Sequence, residues 1–195
     1  MAAFHLLVVC TGNICRSPAA ELLLRQGLRE RMPPGAPDCV AVSSAGLGCD
    51  DGWPVDPPVA ELLHELQIAG GDGFRSRVLR SAIISGADLV LTATRQHRFH
   101  IGEHWPAAYR HTFTLGEASE LLRQADLSAL PASPYERGCA LLDWLADERS
   151  VRQISEGSDL TDPHGRRPAD YRDMMQRLVP MTETILEALA PHRPA

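Results

Sequence analysis

The sequence has no surplus of positive charge: 19 Lys plus Arg stand against 25 Asp plus Glu, a formal net charge of -6. A surface that follows a polyphosphate backbone needs a basic excess, so no nucleic-acid partner is expected. A small anion needs only a local cradle and stays open. No apolar run approaches the roughly 20 residues that cross a bilayer, and the N-terminus lacks a basic segment with a cleavage site. No membrane partner is therefore expected, and the reading is a soluble, cytoplasmic protein. The five cysteines, at positions 10, 15, 39, 49 and 139, are odd in number and scattered. They do not suggest a disulfide framework, and reduced thiols are expected. Neither the Walker Gly-Lys-Ser pattern nor the dinucleotide Gly-x-Gly-x-x-Gly occurs, so no nucleotide cofactor is indicated. Internal repeats and low-complexity tails are also missing.

What remains is 195 residues with 44% hydrophobic and 23% charged composition, enough for one domain spanning 1–195 with its own core. Phe4 to Val9 is a continuous apolar run that reads as a buried parallel strand, Ala19 to Arg31 reads as a helix, and Val40 to Ser43 as a second strand. Pro57 and Pro58 open a helix that Gly70 and Gly71 close. Ala87 to Thr94 is the clearest strand, and His111 to Leu115 a fourth. Helices follow at Gly116 to Ala125, Glu136 to Glu148 and Pro168 to Leu189, with loops near 33–38, 46–58 and 155–168. The alternation predicts an α/β fold, a three-layer α/β/α sandwich around a four-stranded parallel sheet. A helical stretch at about 115–155 has no chemical role in this reading and is expected to serve packing.

The stretch "HLLVVCTGNICRSPAAELLL", His5 to Leu24, ends a strand on a thiol. Ligands of open parallel sheets gather at the carboxyl ends of strands, where Cys10 falls. Gly12 and Asn13 tolerate the left-handed backbone that turns successive N–H groups inward as an anion nest. The following helix adds its positive end, and Arg16 can fork onto two oxygens of the same anion. Thiols at a helix N-terminus beside a cation are held as nucleophilic thiolates at neutral pH. Thr11, Gly12, Asn13, Ile14, Cys15 and Ser17 are then the expected phosphate-binding residues around Cys10. The Ser17 hydroxyl has two readings, a hydrogen bond to the sulfur or a helix cap.

"VVCTGNICRSPAAE" resembles the C-x5-R-S loop of the low-molecular-weight protein tyrosine phosphatases, at the same place near the N-terminus. The resemblance covers roughly residues 4–114 and 155–190. It implies a metal-independent hydrolase without cofactors that acts on phosphotyrosine through a cysteinyl phosphate, with Cys10 as nucleophile and Arg16 gripping the phosphoryl group. It also implies a phosphotyrosine-containing protein as substrate, with a cognate tyrosine kinase among the candidate partners. The Asp162-Pro163 pair in "GSDLTDPHGRRPADY" resembles the family's acid loop before the terminal helix, which makes Asp162 the expected proton donor, with Asp159 as rival. Two aromatic walls sandwich the phosphotyrosine ring in that family. Trp53 matches the region of the first, although it could equally pack on a neighbouring helix. His164 stands where the second ring is usual, a smaller and titratable wall.

Other positions carry alternatives. Ser44 matches a family serine that helps hold the loop asparagine, whereas Phe74 falls where many members have a histidine with the same task. The resemblance implies that Cys15 could form a protective disulfide with Cys10; a small buried loop residue is the other reading. Arsenate reductases share the fold and loop and are the alternative function. The thiol-relay type needs two further cysteines on a segment near the third strand, and residues 75–110 have none. A type served by an external thiol would not need them. Finally, His97, His100 and His104 would share one face if "RQHRFHIGEH" is helical, and could hold zinc, or could simply be solvated.

Overall fold

The seven residues from Phe4 to Cys10 are buried except for His5, and such a run has partners on both faces of a sheet. In the computed structural model it is β1 (Phe4–Cys10), flanked by β2 (Val40–Gly46) and β3 (Leu89–Thr92), with β4 (Thr112–Thr114) beyond β3. All pairings are parallel, in the order β2-β1-β3-β4. Residues 3–32, 39–152 and 158–191 are described. The expected loop at 33–38, and residues 153–157 at the end of the expected helical stretch and the start of the next loop, lie outside the described residues.

The period of two along β1 sorts the helices into layers. Phe4, Leu6, Val8 and Cys10 face the larger core with α1 (Arg16–Arg31), α2 (Pro57–Glu65), α5 (Leu115–Leu122), α6 (Pro134–Val151) and α7 (Pro168–Leu189). Leu7 and Val9 face a smaller core with α3 (Ser81–Ser85) and α4 (Arg95–His104). The three-layer α/β/α architecture with a four-stranded parallel sheet is thus the one the alternation predicts. Strand order reverses between β1 and β3, and a crevice at the carboxyl ends of strands opens at such a switch point.

The differences from the expected element ends have local causes. β2 runs three residues past Ser43 because it pairs with β1 up to Cys10 opposite Gly46. β3 is shorter than Ala87–Thr94: Thr94 leaves the strand to cap α4, its side chain accepting from His97 N. β4 stops at Thr114, where Thr114 and Glu117 form a reciprocal capping box that starts α5. The five-residue α3 is too short to show helical periodicity in sequence.

Helix α6, in the stretch without an expected chemical role, packs against α5, α7 and the start of β1. Gly138 sits directly over the Phe4 ring: a Cβ there would lie 2.5 Å from Phe4 Cγ. Phe4 is fully buried and cannot yield. In a free helix Gly→Ala gains about 0.8–1 kcal/mol, whereas overpacking a tight core costs about 1–3 kcal/mol. Gly138→Ala is therefore expected to lower stability in urea denaturation; a gain would contradict this close approach.

Candidate functional site

The loop between β1 and α1 closes around the Cys10 sulfur. Asn13 has φ 50°, in the left-handed region, which asparagine enters more readily than most residues. That turn aims the Asn13 amide at Cys10 Sγ, 3.3 Å away. Asn13 Nδ2 donates both protons, to Ser17 Oγ at 2.9 Å and Ser44 Oγ at 2.8 Å, while its Oδ1 accepts from Arg77 N at 2.9 Å. This set fixes the amide's orientation, because the flipped form would face the Arg77 N–H with a donor. Ser17 Oγ already accepts from Asn13, so its own proton is free for Cys10 Sγ at 3.0 Å. Of its two readings the sulfur bond is the observed one, and α1 has no side-chain cap. Ser44 Oγ in turn donates a hydrogen bond to the buried Glu21 carboxylate, 2.6 Å away. Phe74, in place of a histidine, is instead part of the hydrophobic core.

Gly46, opposite Cys10 in the β1–β2 register, accommodates this loop by having no side chain. A Cβ there would meet Cys49 Sγ at 2.6 Å and the Thr11 carbonyl at 2.7 Å. Nothing local in the sequence marks Gly46 as more than a loop residue; the requirement lies in what packs against it.

Arg16 is 3% exposed. Its NH1 donates to Leu160 O at 3.3 Å, and its NH2 to Thr11 Oγ1 at 3.3 Å and to Asp162 Oδ2 at 2.5 Å. Its Nε is buried with no hydrogen-bond partner among the described residues, a costly arrangement unless an acceptor arrives. Thr11 Oγ1 also contacts His97 Nε2 at 2.8 Å, and His97 Nδ1 contacts Thr94 Oγ1 at 2.9 Å. Burial, and after it the nearby Arg16 charge, push the His97 imidazole down to about 4, so it is neutral at physiological pH. This corrects the zinc alternative: His97 turns inward to brace Thr11 and does not join His100 and His104, whose rings stack in the open.

Asp162 reaches Arg16 because its loop is pinned at several points. Leu160 N donates to Ala93 O at the end of β3, and Asp159 accepts from Arg95 N at the start of α4. The rival Asp159 is thereby engaged away from the sulfur. On the other side, Asp56 ties the two loops together: its amide donates to Ile14 O, and its Oδ2 receives Tyr171 OH at 2.8 Å and contacts Cys15 Sγ and His164 Nδ1, each at 3.2 Å. Burial pushes the Asp56 carboxyl up, but the contacts from Tyr171, His164 and Cys15 hold it below its ordinary value. The Cys15 thiol is pushed well above the ordinary thiol range by burial and then by Asp56. Cys10 and Cys15 are both free thiols.

A cleft of about 460 Å³ joins these parts. Cys10, Thr11, Gly12, Ile14, Cys15, Arg16, Trp53, Asp162 and His164 line it, together with Gly48, Cys49 and Asp50. Asn13 and Ser17, also expected at the phosphate, lie fully buried behind the sulfur. Trp53 is 60% exposed and so stands at the cleft wall and not packed within the protein. The parts played by Asp56, Tyr171 and Glu21 are not marked in the sequence, and His97 stands out there only as a zinc candidate, not as the brace on Thr11. Only Asp56 carried a local signal, directly before Pro57-Pro58, and that signal says helix start. A buried thiol under an amide and a hydroxyl, a guanidinium with a spare buried N–H, and a facing carboxyl can together bind a tetrahedral oxyanion, attack it and supply a proton.

The chain matches the family model described as "Low molecular weight phosphotyrosine protein phosphatase" over residues 5–148. It is 36% identical over 163 residues to a protein of Ralstonia nicotianae named "Probable low molecular weight protein-tyrosine-phosphatase EpsP", covering 83% of this chain and 95% of that one. Among solved structures, the YwlE arginine phosphatase from Geobacillus stearothermophilus superposes with a TM-score of 0.66 at 26% identity, covering 94% of this chain and 91% of the other. Vibrio vulnificus Wzb in complex with benzylphosphonate has the same fold, with a TM-score of 0.66 at 22% identity over 95% of this chain and 99% of that one.

The buried neutral His97 predicts a pH dependence of stability. Its folded-state value is lowered from 6.5 to about 4, so the unfolded chain binds the extra proton first. The stability it contributes is fully present above pH 6.5 and is lost as the pH falls toward 4, by up to about 3 kcal/mol. Urea unfolding of wild type and His97→Gln at several pH values across that window tests this. The variant should show a shallower fall on acidification, and equal slopes would contradict the assignment.

Proposed function

The chain belongs to the low molecular weight phosphotyrosine protein phosphatase family, and from that premise we propose how its cleft carries out protein-tyrosine phosphatase chemistry. The observation that carries the proposal is that Cys10, Arg16 and Asp162 line one cleft, although Asp162 is 146 residues from Arg16 in the chain. The substrate is a phosphoprotein, and its phosphotyrosine enters along the Trp53 ring, which supplies a flat apolar wall. The opposite wall is His164. Arsenate reduction is not favoured, since the matched relatives are named as phosphatases.

Binding begins with an exchange. Arg16 is paired with Asp162, but the Asp162 side chain is 42% exposed, and pairs with such access to water contribute only up to about 1 kcal/mol. A phosphoryl dianion that reaches Arg16 Nε and NH2 and the loop amides together outcompetes a single carboxylate. Cys10, as thiolate, then attacks phosphorus in line, Arg16 and the loop N–H groups hold the equatorial oxygens, and Asp162 protonates the departing phenoxide. In the second half, ionised Asp162 takes a proton from water, which cleaves the cysteinyl phosphate to inorganic phosphate and thiolate. The protein works in the cytoplasm, and a tyrosine kinase that produces its substrate is its natural counterpart.

A second reading, phosphoarginine, is favoured by the arginine phosphatase from Geobacillus stearothermophilus, similar to this chain in both sequence and fold. A guanidinium stacks on Trp53 as a phenol ring does. Comparing kcat/KM for phosphotyrosine and phosphoarginine peptides separates the two, with the former expected to be larger.

Cys10→Ser should abolish turnover while inorganic phosphate still binds. Asp162→Asn should slow phosphotyrosine hydrolysis by about 10²–10⁴-fold, and p-nitrophenyl phosphate, with its better leaving group, by much less. Steady-state rates on both substrates, with phosphate binding followed by calorimetry, check this. Activity unchanged in either variant contradicts the assigned roles.

A further inference from the structure

Beside the Cys10 sulfur, sharing the cleft's His164 wall, lies a second cluster that takes no part in the phosphoryl-transfer steps themselves. Cys15 Sγ, an Asp56 carboxylate oxygen and a His164 ring nitrogen lie within 4.8 Å of one another. Asp56 Oδ2 is 3.2 Å from both Cys15 Sγ and His164 Nδ1. We propose that these three side chains form a binding site for a zinc-like divalent cation, and that filling it inhibits the enzyme.

The donor set argues for the ion. Thiolate, carboxylate and imidazole together suit zinc and exclude magnesium or calcium, which take oxygen ligands. Metal–ligand bonds of about 2.0–2.3 Å at tetrahedral angles put donor atoms about 3.5 Å apart. The two 3.2 Å spacings are near that value, and His164, whose side chain is 59% exposed, can adjust the third. Tyr171 OH, 2.8 Å from Asp56 Oδ2, supports the carboxylate from behind, as outer partners of metal ligands do. Cys15 and His164 also line the cleft, so a fourth ligand position opens toward it.

The inhibition follows from what the three residues connect. Cys15 lies in the loop around Cys10, Asp56 caps α2, and His164 is two residues beyond Asp162. An ion would staple the Asp162 loop to the phosphate loop. His164 N already donates to Asp162 Oδ1, so a fixed His164 holds Asp162 against Arg16, where the phosphoryl group must enter. This inhibitory half rests on the proposed function; the binding half does not.

The test uses Co²⁺ as a spectroscopic probe, added to Cys10→Ser protein purified without a metal-affinity tag. Removing Cys10 takes the nucleophile's own thiol out of contention. Saturation at about one equivalent with a thiolate-to-cobalt charge-transfer band is expected. Cys15→Ser on that background should abolish the band, and His164→Phe, a change on an exposed loop, should weaken binding at least about tenfold. The His100, Glu103 and His104 group on α4 has no sulfur and cannot give the band. Failure to saturate, or a band that persists at equal affinity in both variants, overturns the site. For inhibition, the Zn²⁺ concentration that halves each enzyme's own rate on p-nitrophenyl phosphate should rise at least about tenfold in His164→Phe. An unchanged value places the inhibitory ion elsewhere and overturns that half. A wild-type chain without phosphatase activity would refute the proposed function while the cobalt titration still reads the site.

Discussion

The arrangement depends on one residue held in an uncommon backbone conformation. Asn13, at φ 50° and fully buried, turns its amide onto the Cys10 sulfur and spends every hydrogen-bonding group of its side chain on holding the turn. One side-chain proton goes to Ser17, which in turn faces the sulfur, and the other to Ser44, which is backed by Glu21. Its carbonyl takes the Arg77 amide. A left-handed asparagine without these partners would relax toward ordinary backbone. With them, the Asn13 amide points at the Cys10 sulfur before any substrate arrives. Preorganised dipoles of this kind need no rearrangement as charge develops, and that is the main electrostatic advantage of a protein over water.

A second level of organisation fixes where the remote groups arrive. The parallel sheet sets Cys10 at the switch point, and the ends of β1 and β3 bring Thr11 and His97 together. The carbonyl of Ala93 then draws in Leu160, so that Asp162 comes over Arg16. Asp56 does the same from the other side, linking the phosphate loop to His164 and, through Tyr171, to α7. Because Arg16 is 3% exposed while the Asp162 side chain is 42% exposed, the guanidinium is the fixed half of that pair and the carboxylate the exchangeable one. This asymmetry fits the proposed mechanism, in which Asp162 leaves the cation to serve the departing oxygen.

How much of this could be read from sequence follows from distance along the chain. Cys10, Gly12, Asn13 and Arg16 fall within one strand–loop–helix junction, so their gathering around the sulfur was legible from local physics alone. That Asp162 comes to Arg16 was legible only through its resemblance to a known acid loop, since nothing local singles out an Asp-Pro pair. His97 and Tyr171 were not legible: their partners lie 86 and 115 residues away, and a buried histidine on a helix face reads like any other. The zinc alternative on α4 failed for the same reason, because helical spacing says which residues share a face but not what that face meets. Strand lengths erred where a side chain, such as that of Thr94, left the ladder to cap a helix.

The central claim, that Asn13 holds the sulfur and the amides in a working arrangement, is most directly tested with Asn13→Ala. Two quantities should be compared with wild type: kcat/KM on phosphotyrosine peptide and the rate of Cys10 alkylation by iodoacetate at neutral pH. Both should fall at least about tenfold, as expected when preorganised hydrogen bonds to a developing charge are lost. A folded Asn13→Ala protein that keeps wild-type values of both would contradict the account.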